Sequence, residues 1–178
     1  MLLQILINFV VIIFFATMIF LNTDKTDWYA KNYKDLSFMD SLYLCTTSFS
    51  SVGYGDISPA TKKSKIYVII IQTFILLEIL SLAQYLSGGF NIGILFNILI
   101  TYFVILVATL YFTFVTDKTD WNFPSSNDSN SFLNMFYFTN TTVTTCGYGE
   151  IVPITNKSRI PVMIIQSLII LRVLSLFT

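Results

Sequence analysis

The chain has 178 residues, 54% of them hydrophobic and 11% charged, and its ten basic and ten acidic residues balance to a formal net charge of zero. A soluble domain carries about 25% charged residues, so the composition excludes an ordinary soluble globule, and the neutral balance points away from nucleic acid as a partner. Histidine is absent, which removes the commonest general base and metal ligand; with no nucleophile–base pairing visible, an enzyme is not expected.

Four apolar runs occupy residues 2–21, 66–86, 92–115 and 160–177. Each is about 20 residues, enough for a helix to cross a hydrocarbon core of about 30 Å. The expected fold is therefore an all-α, multi-pass integral membrane protein with four transmembrane helices, its first partner the lipid bilayer. The first run is too long for a cleaved signal and lacks the cationic flank of one.

The chain reads as a tandem duplication. The hexapeptide T-D-K-T-D-W occurs at 23–28 and again at 116–121, 93 positions on. After one extra residue in the second loop the shift becomes 94, and it pairs Tyr43 with Tyr137, Gly53 with Gly147, Pro59 with Pro153, Ser64 with Ser158 and Gln72 with Gln166. The units are 1–88 and 89–178, joined by the uncharged stretch around Ser87, Gly88 and Gly89. Two spans per unit return the chain to its starting side, so the units have parallel topology.

Between the spans of each unit lies a segment of about 12 residues, too short to cross a bilayer. Ser37 and Ser131 suit the N-caps of two short helices, either re-entrant or lying flat on the interface. The residues that follow favour re-entry. S-S-V-G-Y-G-D at 50–56 and T-T-C-G-Y-G-E at 144–150 share one design. Glycines two apart allow backbone angles closed to other residues, and irregular backbone at membrane depth is tolerated only beside protein or a water-filled path. Carbonyl oxygens turned toward one axis would replace the hydration shell of a monovalent cation, with the helix C-terminus adding negative potential. The candidate ion-binding residues are Ser51, Val52, Gly53, Tyr54 and Gly55 with Thr145, Cys146, Gly147, Tyr148 and Gly149, and Asp56 and Glu150 place carboxylates at the outer mouth.

These residues resemble the T-V-G-Y-G-D signature of potassium channels, and the likeness covers nearly the whole chain. Two pore units per chain are similar to the two-pore-domain potassium channels. The short first loop and near-absent termini look more like the miniature channels of large algal viruses, duplicated in tandem. The resemblance implies K+ held at the filter carbonyls as permeant ion, no other cofactor, and a homodimer in which four pore loops complete one pore. It also implies filter loops on the extracellular side, with both termini and the central linker cytoplasmic. Ser51 stands where the family usually has Thr, and Cys146 where Val or Ile is usual; the Cys146 side chain is expected to pack behind the filter. A cation transporter built from similar units and a non-selective cation channel are the rival readings, and the intact Tyr54 and Tyr148 disfavour the second.

Nine of the ten Lys and Arg residues fall in the filter-bearing loops or adjoining span ends. The positive-inside rule would place those loops in the cytoplasm, against the channel resemblance, and simple solvation is the expectation for these cations. Glu78 and Arg172 occupy equivalent span positions. They form a salt bridge between inner helices, or Glu78 faces the cavity, or Arg172 snorkels to the headgroups. Cys45 and Cys146 are expected to be free thiols, Pro161 to sit harmlessly in a first helical turn, and Asn127 to be a glycosylation candidate.

Overall fold

The computed structural model describes residues 2–30, 36–86, 92–125 and 128–175. The join between the units and Asn127 lie outside the described residues. Each unit contributes a long helix, a short helix and a second long helix. These are α1 (Leu2–Asn22), α2 (Phe38–Phe49) and α3 (Lys62–Leu86), then α4 (Ile92–Phe114), α5 (Phe132–Val143) and α6 (Asn156–Ser175). Among the described residues, one helical stretch, Phe96–Phe114, is long and apolar enough to cross a membrane, with a mean hydropathy of 2.0; Leu6–Asn22 is apolar but shorter.

The short helices start where expected. Ser37 caps α2 by accepting from the Asp40 amide, and the Asp40 carboxylate accepts in return from the Ser37 amide at 2.8 Å, a reciprocal pair. Ser131 caps α5 by accepting from the Asn134 amide. Each short helix packs on the first long helix of its own unit, α2 on α1 and α5 on α4, and α3 also packs across the units on α5. Aromatic side chains fill these seams. Phe15 of α1 lies between Phe49 and Phe74, with ring centroids 6.1 and 5.0 Å away. In the second unit a different set, Phe112, Trp121 and Phe138, forms an aromatic cluster. Large apolar side chains on the opposite faces of α1 and α4, such as Phe9, Phe96 and Phe103, are exposed.

Three expectations need correction. The all-α reading missed two small antiparallel ladders. β1 (Trp28–Ala30) pairs with β2 (Ile57–Pro59), and β3 (Trp121–Asn122) pairs with β4 (Val152–Pro153). They form because the chain on either side of each short helix is extended, and its backbone groups need partners where the two stretches meet. Pro161 is not in a first turn, since α6 begins at Asn156. Lacking an N–H, it cannot donate to the Lys157 carbonyl, which instead accepts from the Tyr111 hydroxyl at 3.4 Å. Lastly, Lys65 is not a solvated surface cation but only 2% exposed.

Candidate functional site

The Gly-Tyr-Gly loops leave the C-termini of α2 and α5. In the first, Ser51, Gly53 and Gly55 have φ of +56, +49 and +71°. In the second, Thr145, Gly147 and Gly149 have +57, +24 and +81°. The residues between them do not share the positive φ. Alternating hand at successive residues keeps neighbouring peptide planes from flipping, so like groups line one side of the strand. The amides of Val52 and Gly53 both donate to the Thr47 carbonyl, at 3.0 and 3.1 Å, and those of Cys146 and Gly147 both donate to the Thr141 carbonyl, at 2.9 and 3.1 Å. The helix ends thus take the N–H groups from behind. Among the described residues, no carbonyl of 51–55 or 145–149 accepts a hydrogen bond. Ser and Thr in the left-handed region cost about 1–2 kcal/mol each. Ser51 N–H donates to the Ser48 carbonyl at 2.9 Å, and Thr145 Oγ1 donates to the Thr144 carbonyl at 2.7 Å.

The two loops touch. A Cβ on Gly53 would stand 1.6 Å from the Cys146 carbonyl oxygen, and one on Gly55 would stand 2.0 Å from that of Tyr148. Only glycine permits this approach. The contact continues behind the loops, where the Tyr148 hydroxyl and Ser48 Oγ lie 2.5 Å apart and Cys146 Sγ reaches the Ser48 carbonyl at 3.8 Å. Cys146 is buried behind its loop, in the place expected for it, and both cysteines are free. Lys65 of α3 completes the seam, donating to Asn134 Oδ1 at 2.9 Å with Asp128 Oδ1 at 3.6 Å.

Each loop is braced by a tyrosine of its own short helix. Tyr43 stacks parallel to Tyr54 with centroids 6.4 Å apart, and Tyr137 stacks on Tyr148 at 6.5 Å. The Tyr43 hydroxyl donates to Asp56 Oδ1 at 3.3 Å. Asp56 is exposed whereas Glu150 is largely enclosed, and burial pushes the Glu150 carboxyl above the ordinary carboxylate value of 4.5. Both line one cleft of about 540 Å³ with Gly55, Tyr148 and Gly149. The structure therefore brings together the two loops and the two mouth carboxylates.

Glu78 lies half-buried on α3. The Arg172 side chain, and with it the Glu78–Arg172 pair, lies outside the described residues.

The repeated hexapeptide is a staple, a role the sequence comparison did not reveal. Trp28 Nε1 donates to Thr23 Oγ1 and Trp121 Nε1 to Thr116 Oγ1, each at 2.9 Å. The Asp27 carboxylate accepts from Thr61 Oγ1 at 2.6 Å and its carbonyl from Ser64 Oγ at 2.5 Å. Asp120 repeats both bonds with Thr155 and Ser158, at 2.5 and 2.7 Å. Each staple ties the end of the first long helix to the start of the second and clamps the exit of the Gly-Tyr-Gly loop. Among the described residues of these loops, Lys63 pairs with Asp27, Lys65 with Asp128, and Lys157 with Asp117 and Asp120.

The sequence model of one protein family, described as an ion channel, matches residues 7–119 and again residues 94–178. The two matches together span nearly the whole chain and overlap over residues 94–119, most of α4 and the start of the second hexapeptide. No solved structure matches the chain.

Proposed function

This chain belongs to the ion channel family, and we propose that it is a potassium-selective channel that conducts K+ passively through a filter built by two copies of the chain. An ion channel is a membrane protein; in this reading α1, α3, α4 and α6 span the bilayer and α2 and α5 are re-entrant pore helices. The observation that carries the proposal is the pair of touching loops with alternating left-handed residues, N–H groups bound behind and carbonyls left without hydrogen bonds. Such oxygens can substitute for the water shell of a monovalent cation. The helix ends behind them supply about half a negative charge each, and Asp56 and Glu150 draw cations to the outer mouth.

Two loops make two walls of a pore. The open space beside Gly147 and Gly149, where no atom lies within 4 Å of an added Cβ, supports a second copy as the source of the other two. In this reading the filter mouth faces the extracellular side, and the termini and linker lie on the cytoplasmic side. The bracing of Tyr54 and Tyr148 favours potassium selectivity over a non-selective pore, because a braced loop holds one ring size. Purified protein in planar bilayers under opposed potassium and sodium gradients tests the reading. The expected reversal potential lies near the potassium value; one near the sodium value, or no current, overturns it.

A further inference from the structure

The seam between the units has a direction. The first unit presents Gly53, Gly55, Ser48 and Lys65; the second presents the Cys146 and Tyr148 carbonyls, the Tyr148 hydroxyl and Asn134. Shifting by 94 positions gives the unused halves of the same seam. On the second unit these are Gly147, Gly149, Thr142 and Arg159; on the first they are Val52, Tyr54 and Asp40.

The unused faces are open in the way this predicts. Tyr148 is 7% exposed in its seam, whereas Tyr54 is 69% exposed. A groove of about 420 Å³ runs beside the second loop, lined by Thr142, Gly147, Gly149 and Arg159 among others. Arg159 is exposed and, among the described residues, makes no salt bridge; Nε donates to the Pro153 carbonyl at 3.3 Å. Asp40 uses Oδ2 to cap α2. Where the closed seam sets Lys65 on the Asn134 amide with the Asp128 carboxylate 3.6 Å away, the open faces offer a guanidinium and a carboxylate. Their pairing is charge-assisted on both sides.

We propose that a second copy seats its first unit on this open face, with Tyr54 of the partner subunit in the groove beside Thr142 and Asp40 of the partner subunit paired with Arg159. The inference rests on the two-chain reading of the pore and adds the residues that choose the partner. A directional contact repeated by a rotation that divides a full turn closes into a ring. Two chains close a ring of four units through two such ion pairs.

Differently tagged copies carrying Arg159→Asp and Asp40→Arg, co-expressed and purified through both tags in sequence, test it. Each variant alone sets like charges together at both contacts. The mixed pair restores two opposite-charge contacts, one native and one reversed. Any cap lost with Asp40 enters the mixed pair once and one like pair twice, so the square of the mixed yield over the product of the two like yields is free of it. Mixed complexes are expected about fivefold or more above random pairing, because juxtaposed like charges at an interface are strongly disfavoured. Random pairing of the variants, with wild-type copies still co-purifying, overturns the Arg159–Asp40 pair and leaves the dimer. Failure of tagged wild-type copies to co-purify overturns the dimer itself.

Discussion

The Ser48 and Tyr148 hydroxyls, 100 positions apart in the chain, share a hydrogen bond of 2.5 Å that pins the second Gly-Tyr-Gly loop to the short helix of the first unit. The bond is unequal for its two members. Ser48 also donates to the Leu44 carbonyl at 2.6 Å, while the Tyr148 hydroxyl has, besides Ser48, only the weakly bonding Cys146 thiol among the described residues.

Removing the two members should therefore have different effects. Ser48→Ala takes the oxygen partner from the buried Tyr148 phenol, leaves it only the Cys146 thiol, and is expected to destabilise the protein by about 1–3 kcal/mol. Tyr148→Phe leaves Ser48 with its helix bond and is expected to cost only about 0.5–1.5 kcal/mol. Thermal unfolding of the two variants in detergent gives the order, and equal losses would mean the bond is not the Tyr148 anchor.

The inter-unit cation yields a second prediction. Lys65 is enclosed, with Asn134 and Asp128 as its partners. Lys65→Met keeps the stem and removes the ammonium, leaving both acceptors short of a donor. A loss of about 1–3 kcal/mol is expected, with unfolding that begins between the units and so shows early cleavage near the central join by a protease. Lys65→Arg, which retains a donor, should recover part of the stability. A Lys65→Met variant as stable as the wild type would remove the seam from the forces that hold the units together.

Much of this arrangement was legible in the residues, and what was not has a common cause. Register, helix lengths and the caps at Ser37 and Ser131 depend on neighbours within a few positions, and the glycine pairs announce their own backbone freedom. The left-handed Ser51 and Thr145 carry no such mark, since neither residue type prefers that region. The hexapeptide was visible as a repeat, yet its partners Thr61, Ser64, Thr155 and Ser158 lie more than 30 positions away. Lys65 read as a surface charge because Asn134 and Asp128 belong to the other unit.

The staples make stability sensitive to acid. The Asp117 amide and the Thr155 hydroxyl hold the Asp120 carboxyl below its ordinary value of 3.8. At Asp27 burial pushes upward, but the Thr61 hydroxyl, the Asp24 backbone and Lys63 outweigh it, and the net shift is also downward. A carboxyl depressed on folding contributes stability that is present above pH 3.8 and lost as pH falls through the lowered value. Unfolding temperature should drop across that acidic window in the wild type. Asp27→Asn with Asp120→Asn should be less stable at neutral pH and show a flatter acid limb. An unchanged acid limb in the double variant would mean that other carboxylates carry it.

Glu150 titrates in the opposite sense. Its carboxyl is raised by burial, so it takes up a proton at a higher pH than an ordinary glutamate. The outer mouth should lose negative charge, and inward K+ current should fall, as external pH drops through the range above 4.5. Glu150→Gln should abolish that component and lower the current at neutral pH. A wild-type pH dependence that persists in Glu150→Gln would assign the titration to another group.

The glycines of the two loops give the sharpest contrast between a chain and its assembly. Alanine at Gly53 would place its Cβ 1.6 Å from the Cys146 carbonyl at a φ of +49°, so Gly53→Ala should prevent the units from packing and yield misfolded protein. At Gly147 the single chain has room, and left-handed strain of about 1–2 kcal/mol is the main cost. In the proposed two-chain ring the same close approach would recur there. Gly147→Ala should leave helical content and expression near wild type yet reduce co-purification of tagged copies and abolish current. Circular dichroism, dual-tag purification and bilayer recording on both variants separate the two effects. A Gly147→Ala channel that dimerises and conducts normally would rule out a backbone contact at that position.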